Sequence, residues 1–275
     1  MVKGKIACYI IGGWTECGYM TQFLQKINDQ FDYRQRFPRK NIGKKGKARS
    51  DFKIAGTTGA ALVKKVYEDM GKHREILKDY SAVLIEDDID EHYFKDDGDG
   101  RDYDVIESRK KEITENIHGI LEKNIPVFFL YALPEIEAWF IADWENTFGK
   151  EYVRRLAEMN SYFSITFKKY IFKNVLTDLY PVSEIENYGM FDGKYRKLSE
   201  EIIRAFQQYS CETDSSKNNK LYDERINYLI KTNELKYSKK GEGVNMLIRL
   251  SPQIVASVCG KYFAKTYSEL SDFAG

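Results

Sequence analysis

Two aspartates follow a short apolar segment in the first half of the chain. Residues 81–85 read Ser-Ala-Val-Leu-Ile, and Asp88 and Asp90 come soon after them. On an extended chain, alternate side chains leave on the same side, so this D-x-D spacing allows both carboxylates to bind one metal ion or two neighbouring ions. Hard oxygen ligands favour Mg²⁺ or Mn²⁺. The pattern therefore predicts a divalent-cation site, with a solvated acidic turn as the alternative.

Two further acidic residues follow other apolar segments. Glu16 comes after the run at 5–11, and Glu137 comes after the run at 126–131. The carboxyl ends of parallel strands open on one edge of a sheet, which is where α/β proteins bind their ligands. If these runs are parallel strands, Glu16 and Glu137 join the two aspartates at one metal-binding edge.

The segments between these acidic residues alternate between β-like runs and amphipathic stretches. Apolar residues at helical spacing predict a helix over residues 15–31 with Thr15 as its cap, and Pro134 is placed to begin another. A single long helix is predicted at 245–267. Strands are predicted at 5–11, 51–55, 81–85 and 126–131.

Strands that alternate with helices indicate a doubly wound sheet. We therefore expect an α/β fold with a mostly parallel, Rossmann-like sheet flanked by helices and a helical C-terminal extension. A length of 275 residues suits one large domain or two modest ones. The expected division is an α/β domain at 1–148 and a mostly helical region at 149–275 packed on it.

The overall composition excludes several classes of protein. Forty-three basic and 42 acidic residues leave a net charge of +1, so no global field indicates nucleic acid. The four cysteines and three histidines are widely spaced, which argues against a zinc site or a disulfide framework. No apolar run approaches bilayer length and no signal-peptide pattern is present, so we expect a soluble, cytoplasmic protein without a membrane partner.

Basic residues are concentrated in one segment that lacks apolar periodicity. Residues 34–49 are predicted to form a basic loop, which is either a solvated surface segment or a clamp for a phosphate backbone. Lys239 is a separate cationic candidate, because a lysine beside a metal site can neutralise charge that develops on a phosphate; its alternative is an exposed loop. The candidate nucleic-acid-binding residues are Arg39, Lys40, Lys44, Lys45, Lys47 and Arg49.

Other motifs for phosphate or calcium binding are incomplete. The acidic segment at 96–104 fails the spacing of a calcium-binding loop, and Gly12-Gly13 lacks the remaining residues of a P-loop or a dinucleotide fingerprint. No nucleophile motif such as G-x-S-x-G is present. A nucleotide-handling phosphotransferase would need a base-binding pocket, which the sequence does not locate.

Four patches together indicate a family. They are Gly-Gly-x-Thr-Glu at 12–16, the D-x-D at 88–90, Glu-Ile-Glu-Ala-Trp-Phe-Ile-Ala-Asp at 135–143, and a Tyr-x-Lys-x-Gly segment at 237–241. In this combination the chain resembles the Toprim-like proteins of the uncharacterised family DUF4276. The third patch is the most specific part of the resemblance.

The resemblance implies a Toprim fold that binds Mg²⁺ for phosphodiester chemistry. Asp88 and Asp90 match the aspartate pair of such proteins, and Glu137 matches their later glutamate. Relatives include topoisomerases, primases and overcoming-lysogenization-defect nucleases, and several act in phage defence beside an ATPase partner. Gly12 stands where the first glutamate of the usual motif would be, so Glu16 has to supply that charge.

Two functions follow from these expectations. The first is a Mg²⁺-dependent nuclease of an anti-phage defence or mobile-element system, whose catalytic residues are Glu16, Asp88, Asp90, Glu137 and Lys239; all but Lys239 would hold the metal. The second is a catalytically inactive Toprim-like subunit that binds nucleic acid or regulates an ATPase-containing complex, motivated by Gly12. The expected partners are DNA or RNA, with an ATPase subunit or a second copy of the chain as further candidates.

Overall fold

A computed structural model describes most of the chain. The described residues are 3–10, 13, 15–38, 40–42, 48–50, 57–96, 100–152, 156, 159–176, 182–211 and 217–275, with side chains for all of these except 40–42, 48–50 and 217. The strands are β1 (Gly4–Ile10), β2 (Phe31–Phe37), β3 (Lys40–Ile42), β4 (Ala48–Ser50), β5 (Ala82–Asp88), β6 (Val127–Ala132), β7 (Met190–Phe191) and β8 (Lys194–Tyr195). The helices are α1 (Met20–Ile27), α2 (Gly59–Leu77), α3 (Tyr103–Leu121), α4 (Glu137–Ala142), α5 (Phe148–Glu151), α6 (Asn160–Ile171), α7 (Leu198–Gln208), α8 (Lys217–Lys231), α9 (Val244–Arg249), α10 (Pro252–Val258) and α11 (Phe263–Ser271).

The central sheet has four strands in the order β2-β1-β5-β6, and every neighbouring pair is parallel. The expected α/β, Rossmann-like fold with a parallel sheet, flanking helices and a helical C-terminal part is confirmed. After β1 the chain forms β2 on one side of it, and it later forms β5 on the other side of β1. In proteins of this architecture, ligands bind beyond the carboxyl ends of the two strands between which the chain reverses, here β1 and β5.

The two faces of the sheet bury separate apolar layers. On β5, Leu84 packs into the layer that contains α1 and much of the C-terminal half, whereas Val83 and Ile85 pack into the layer formed with α2 and α3. Because side chains alternate along a strand, Asp87 and Asp88 at its end extend to opposite faces. All seven residues of β5 are buried.

The sheet contains one strand, β2, that the sequence pattern did not predict. The predicted helix over 15–31 is shorter, since α1 begins at Met20, and Phe31 already belongs to β2. Arg34 and the residues up to 37 therefore lie on an edge strand and not in a basic loop. Phe31 and Tyr33 are buried with Asp32 and Arg34 more exposed, which is strand periodicity. The predicted strand at 51–55 lies outside the described residues.

Two other boundaries differ from the predictions. The strand predicted at 81–85 continues through Asp88, so the acidic residues 86–88 are part of it. The single helix predicted at 245–267 is three helices with two breaks. At the first, Leu250 is non-helical and Ser251 starts α10 by accepting a hydrogen bond from the Ile254 N–H, with Pro252 in its first turn. At the second, Cys259 is non-helical, and α11 begins at Phe263. No helix in the described ranges is long and apolar enough to cross a bilayer. The division at residue 148 stays a prediction.

Candidate functional site

Three of the predicted acidic residues lie at the carboxyl edge of the sheet. Glu16 is in the turn after β1, Asp88 is the last residue of β5, and Glu137 is the first residue of α4 after β6. They are only 2%, 6% and 0% exposed, respectively. The electrostatic influence of Glu16 reaches Asp88, and that of Glu137 reaches Glu16. The topology therefore brings these three carboxyl groups, which are far apart in sequence, into one neighbourhood.

Lys239 enters this neighbourhood from the C-terminal half. Its Nζ atom lies 2.9 Å from Glu135 Oε1 and 3.4 Å from Glu137 Oε2. The lysine belongs to a π-helical turn, Lys239–Gly243, which packs against the turn after β1. There the Thr15 hydroxyl donates a hydrogen bond of 3.0 Å to the Lys239 carbonyl, so Thr15 positions the lysine and does not cap α1 as predicted.

The same two turns approach each other closely at a glycine. A Cβ atom at Gly243 would lie 2.9 Å from Thr15 Oγ1, a separation that side chains essentially do not adopt. A glycine at this position therefore allows the Lys239–Gly243 turn to reach the end of β1.

Individual hydrogen bonds fix the orientation of the carboxyl groups. Asp88 Oδ1 accepts the Ile136 backbone N–H at 3.1 Å, and Glu137 Oε1 accepts the Tyr237 hydroxyl at 2.6 Å. Glu135 accepts two hydrogen bonds from Ser199, from its backbone N–H and its hydroxyl, each at 2.9 Å. Glu137 Oε2 has no hydrogen bond in the described structure and lies 3.4 Å from the Lys239 ammonium nitrogen.

Burial dominates the electrostatics of this cluster. It raises the pKa of Glu16 to about 7 and that of Asp88 well above its usual range, and in both cases Lys239 opposes the shift. Burial also raises the pKa of Glu137, again against the pull of Lys239. For Glu135, burial is outweighed by Lys239 and Lys197, so its pKa is lowered. Conversely, Glu137 and Glu135 raise the pKa of Lys239 against the effect of its burial.

Asp90 takes a different position from the one its spacing predicts. Its φ of 48° is left-handed, so the chain is not extended there and Asp88 and Asp90 do not leave a strand on the same side. The Asp90 carboxylate pairs with Lys197 Nζ at 3.0 Å, and Lys197 in turn lies 3.4 Å from Glu135 Oε1. Asp90 is therefore connected to the other carboxylates through a lysine.

Glu16 reaches the cluster because it bends back over the turn after β1. A Cβ atom added at Gly13 would collide with Glu16 Oε2, so the carboxyl group occupies the space that a side chain at 13 would fill. Gly12, the departure from the Toprim motif, lies outside the described residues. Glu16 is nevertheless placed where it contributes a carboxyl group to the cluster.

The predicted nucleic-acid-binding segment is described only in part. Lys40 lies on β3 and Arg49 on β4, which pair as a short antiparallel hairpin. The other four candidates, Arg39, Lys44, Lys45 and Lys47, lie outside the described residues. Their role in binding nucleic acid stays a prediction.

Sequence reasoning did not assign two residues that complete the cluster. Glu135 stands two positions before Glu137, and this E-x-E spacing was a usable signal because the pair follows a strand just as the aspartates do. Lys197 follows the β7–β8 hairpin and has no local motif. Its role depends on a contact across 107 residues, between Lys197 and Asp90.

The carboxylate oxygens of this cluster are the kind of ligand that a divalent cation prefers, but the described structure does not place them as a set of metal ligands. Five carboxyl groups and two lysines of the described residues influence one another here. Four of the carboxyl groups, those of Glu16, Asp88, Glu135 and Glu137, are buried, and that of Asp90 is partly exposed. Buried carboxylates in such excess require protons or a further cation. However, no three His, Cys, Asp or Glu side chains of the described residues form a group that could hold a metal. The ammonium group of Lys239 lies between two of the carboxylates instead.

Comparison with known proteins adds no assignment. No protein-family model matches the chain, and neither a curated protein nor a solved structure matches it. The chemistry of the site therefore has to be inferred from its own residues.

Proposed function

We propose that the protein is a metal-dependent nuclease that hydrolyses phosphodiester bonds of DNA or RNA at the carboxyl edge of its sheet. The observation that supports this is the excess of buried carboxyl groups over lysines at that edge. Burial of one unpaired charge costs several kcal/mol, which is comparable with the whole free energy of unfolding of a domain. Buried acids without partners are therefore uncommon where their role is only structural. A site that binds a divalent cation in its catalytic cycle needs such an excess of carboxylates over lysines.

Glu16, Asp88 and Glu137 are the residues that would hold Mg²⁺ or Mn²⁺, and because they do not form a metal-binding group in the described structure, their carboxyl groups would have to move closer together around the ion. Once bound there, the ion would polarise a phosphate oxygen and lower the pKa of a water molecule. The chain's own hydrogen bonds prepare the ligands: the Ile136 N–H orients Asp88 and the Tyr237 hydroxyl orients Glu137. Such preorganisation reduces the reorganisation needed when a ligand arrives.

Lys239 has two tasks in this proposal. In the described structure its ammonium group neutralises Glu135 and Glu137. With a divalent cation bound to the carboxylates, the lysine would be free to pair with the negative charge of the substrate phosphate. Its backbone stays fixed by Thr15, so only the side chain has to move. About a third of the Lys239 side chain is exposed, which gives it access to a ligand at the carboxyl edge of the sheet.

A cleavage assay tests the proposal. Plasmid DNA and a structured RNA are incubated with the protein and Mg²⁺ or Mn²⁺, and we expect products that disappear with EDTA. Asp88→Asn should lower the rate about a hundredfold or more. The matched control is Glu91→Gln, which removes the same charge from an exposed residue three positions away. Equal cleavage by Asp88→Asn and the unchanged protein would refute the proposal.

A second candidate function is a non-catalytic subunit that binds nucleic acid or regulates an ATPase partner. The observation that favours it is that Lys239 already neutralises two carboxylates while the described residues contain no preformed metal group. Titration calorimetry with Mn²⁺ separates the two functions. Absence of Mn²⁺ binding at millimolar concentration, together with absence of cleavage, supports the second function over the first.

A further inference from the structure

A cavity borders α6 in the C-terminal half of the chain and has a volume of about 670 Å³. This volume is within the range of about 300 to 1,000 Å³ that is typical of small-ligand pockets. Its walls come from α6, from the π-helical turn Phe172–Leu176 that follows α6, from the residues after α7, and from Asp223 on α8. The described residues that border it are not those of the carboxylate cluster, so the cavity is a separate site.

Two lysines give this cavity a free positive charge. Lys169 near the end of α6 and Lys173 in the π-helical turn both border the cavity, and both are exposed. Neither has an ion pair with any residue that the structure describes, whereas Nζ of the neighbouring Lys168 lies 3.1 Å from Glu145 Oε1. Lys169 and Lys173 are four residues apart, and like charges at this spacing in a helix repel each other. An anion between them would relieve this repulsion.

The remaining walls do not cancel this charge. The single acidic residue among the described residues that border the cavity, Asp223, is fully buried, and its Oδ1 atom accepts the Tyr162 hydroxyl at 2.7 Å. Even with a full charge on Asp223, two ammonium groups leave the cavity with a net positive charge. Ile165, which is 57% exposed, and the half-buried ring of Tyr170 add apolar surface. Ammonium groups beside aromatic and aliphatic surface suit a phosphate group that belongs to a nucleotide.

Helix α7 connects the cavity to the carboxylate cluster. Ser199, in the first turn of α7, donates two hydrogen bonds to Glu135 of the cluster, and Tyr209, which follows the last residue of the same helix, borders the cavity. The helical positions from 199 to 209, at about 1.5 Å each, place these two residues about 15 Å apart. Each strand of a nucleic acid duplex rises about 3.4 Å per nucleotide, so about four nucleotides span this distance.

We propose that this cavity is a remote phosphate site, in which Lys169 and Lys173 bind a phosphate group of the nucleic acid strand that is cleaved at the carboxylate cluster. The inference rests on the proposed function, because it takes nucleic acid to be the ligand of that cluster. The bound phosphate would lie about four nucleotides from the cleaved bond. Such a contact adds binding energy without touching the reacting atoms, so it would lower KM for the substrate and leave kcat unchanged.

Oligonucleotide binding without metal tests the remote phosphate site. Fluorescently labelled single strands of DNA and RNA are titrated with the protein in EDTA, and anisotropy measures the affinity. In Lys169→Met/Lys173→Met we expect the affinity to fall about tenfold and the slope of log K against log salt concentration to become shallower by about 1.4, the amount for two phosphate contacts on a single strand. The matched control is Lys72→Met/Lys111→Met, which removes two exposed lysines of α2 and α3, on the other face of the sheet.

A negative charge in the cavity gives a second test that leaves both lysines in place. Ile165→Glu places a carboxylate beside them and should weaken oligonucleotide binding by about tenfold. Ile76→Glu is the matched control, because Ile76 on α2 is also 57% exposed and does not border the cavity. The melting temperatures of all four variants should stay close to that of the unchanged protein, since every substituted side chain is exposed. A lower melting temperature without any loss of affinity would give the lysines a structural role and overturn the proposal.

The outcomes separate this inference from the proposed function. Equal oligonucleotide affinity in the two lysine double variants, or no binding by the unchanged protein, overturns the remote phosphate site. Binding of AMP that needs Lys169 and Lys173, with oligonucleotide affinity unchanged in their double variant, also overturns it and makes a free nucleotide the ligand. Metal-dependent cleavage with the same KM in both double variants leaves the nuclease proposal intact without the remote site. Lysine-dependent oligonucleotide binding without any cleavage supports the remote site and favours the non-catalytic nucleic-acid-binding function over the nuclease.

Discussion

Two buried carboxyl groups in this protein, those of Glu186 and Glu137, differ in how many hydrogen bonds they accept. Glu186 is 1% exposed, and its two oxygens accept the backbone N–H groups of Lys261, Tyr262 and Phe263 at 2.9 to 3.2 Å, which caps the start of α11. Glu137 is equally buried, but its Oε2 atom has no hydrogen bond in the described structure and lies 3.4 Å from the Lys239 ammonium nitrogen. Burial alone therefore does not identify a functional acid.

The difference lies in what surrounds each carboxylate. Backbone donors around Glu186 come from one rigid helix start and cannot leave, so they make a permanent structural contact. The charges around Glu137 come from flexible side chains, and Lys239 is shared between two acids. A carboxylate held by exchangeable partners can change its ligand, whereas one held by backbone donors cannot. The comparison predicts opposite responses to the same chemical change.

The largest expected effect is on catalysis at Glu137. Glu137→Gln removes a charge from the proposed metal site, and we expect the rate of metal-dependent cleavage to fall about a hundredfold. In EDTA the free energy of unfolding should fall by less than in Glu186→Gln, because the amide oxygen can still accept the Tyr237 hydroxyl, one excess buried charge is removed, and Lys239 can turn from the new NH₂ group toward Glu135. Urea unfolding of the metal-free protein measures the second quantity. A loss of stability as large as that of Glu186→Gln would place Glu137 with Glu186 as a structural acid.

The same substitution at Glu186 should have the reverse signature. Glu186→Gln replaces an acceptor oxygen by an NH₂ group that faces backbone donors, so we expect the free energy of unfolding to fall by about 2 kcal/mol. The cleavage rate per folded molecule should stay unchanged, since Glu186 belongs to the α11 cap. Denaturant titration and a cleavage assay on the same preparation check both parts. An effect on cleavage without an effect on stability would reverse the assignment of the two acids.

Substitution of Lys239 tests whether a metal ion can replace its ammonium group beside Glu135 and Glu137. Lys239→Met removes the ammonium group from between Glu135 and Glu137, so the carboxylates should attract a divalent cation more strongly, and we expect Mn²⁺ affinity to rise about tenfold. Mn²⁺ should also restore much of the thermal stability that the variant loses without metal. Calorimetry measures the affinity, and Lys240→Met is the control for loss of a neighbouring positive charge. Unchanged or weaker Mn²⁺ binding would show that the lysine and the metal do not compete.

Part of this site was accessible from sequence because acids at strand ends are governed by topology. Glu16, Asp88 and Glu137 each follow a run that forms a strand of a parallel sheet, and parallel strands end on one edge. The position of Asp90 could not be predicted in this way. Its backbone is left-handed, and a D-x-D motif has the same sequence whether its second aspartate is extended or left-handed. Lys197 was missed because a contact between distant segments has no local pattern.

The fold shows the same division between local and non-local information. The central strand β5 is buried on both faces and reads as an apolar run, so its position was predicted. The edge strand β2 has the sequence Phe-Asp-Tyr-Arg-Gln-Arg-Phe, and its charges obscured the two-residue period. An edge strand has one free side and tolerates charge, which makes it resemble a loop in sequence.

The smallest expected effect comes from Gly13→Ala, which changes only the space available to the Glu16 carboxyl group. Gly13→Ala adds one methyl group in the space that the Glu16 carboxyl group occupies, and no charge is changed. The side chain of Glu16 has to turn away, so we expect Mn²⁺ affinity to fall about threefold to tenfold while the melting temperature changes little, because a flexible side chain yields at low cost. In the background Glu16→Gln the added methyl group should have no further effect on Mn²⁺ binding, since the ligand it displaces is already absent. A full additional loss in the double variant would mean that Gly13 acts on the turn after β1 and not through Glu16.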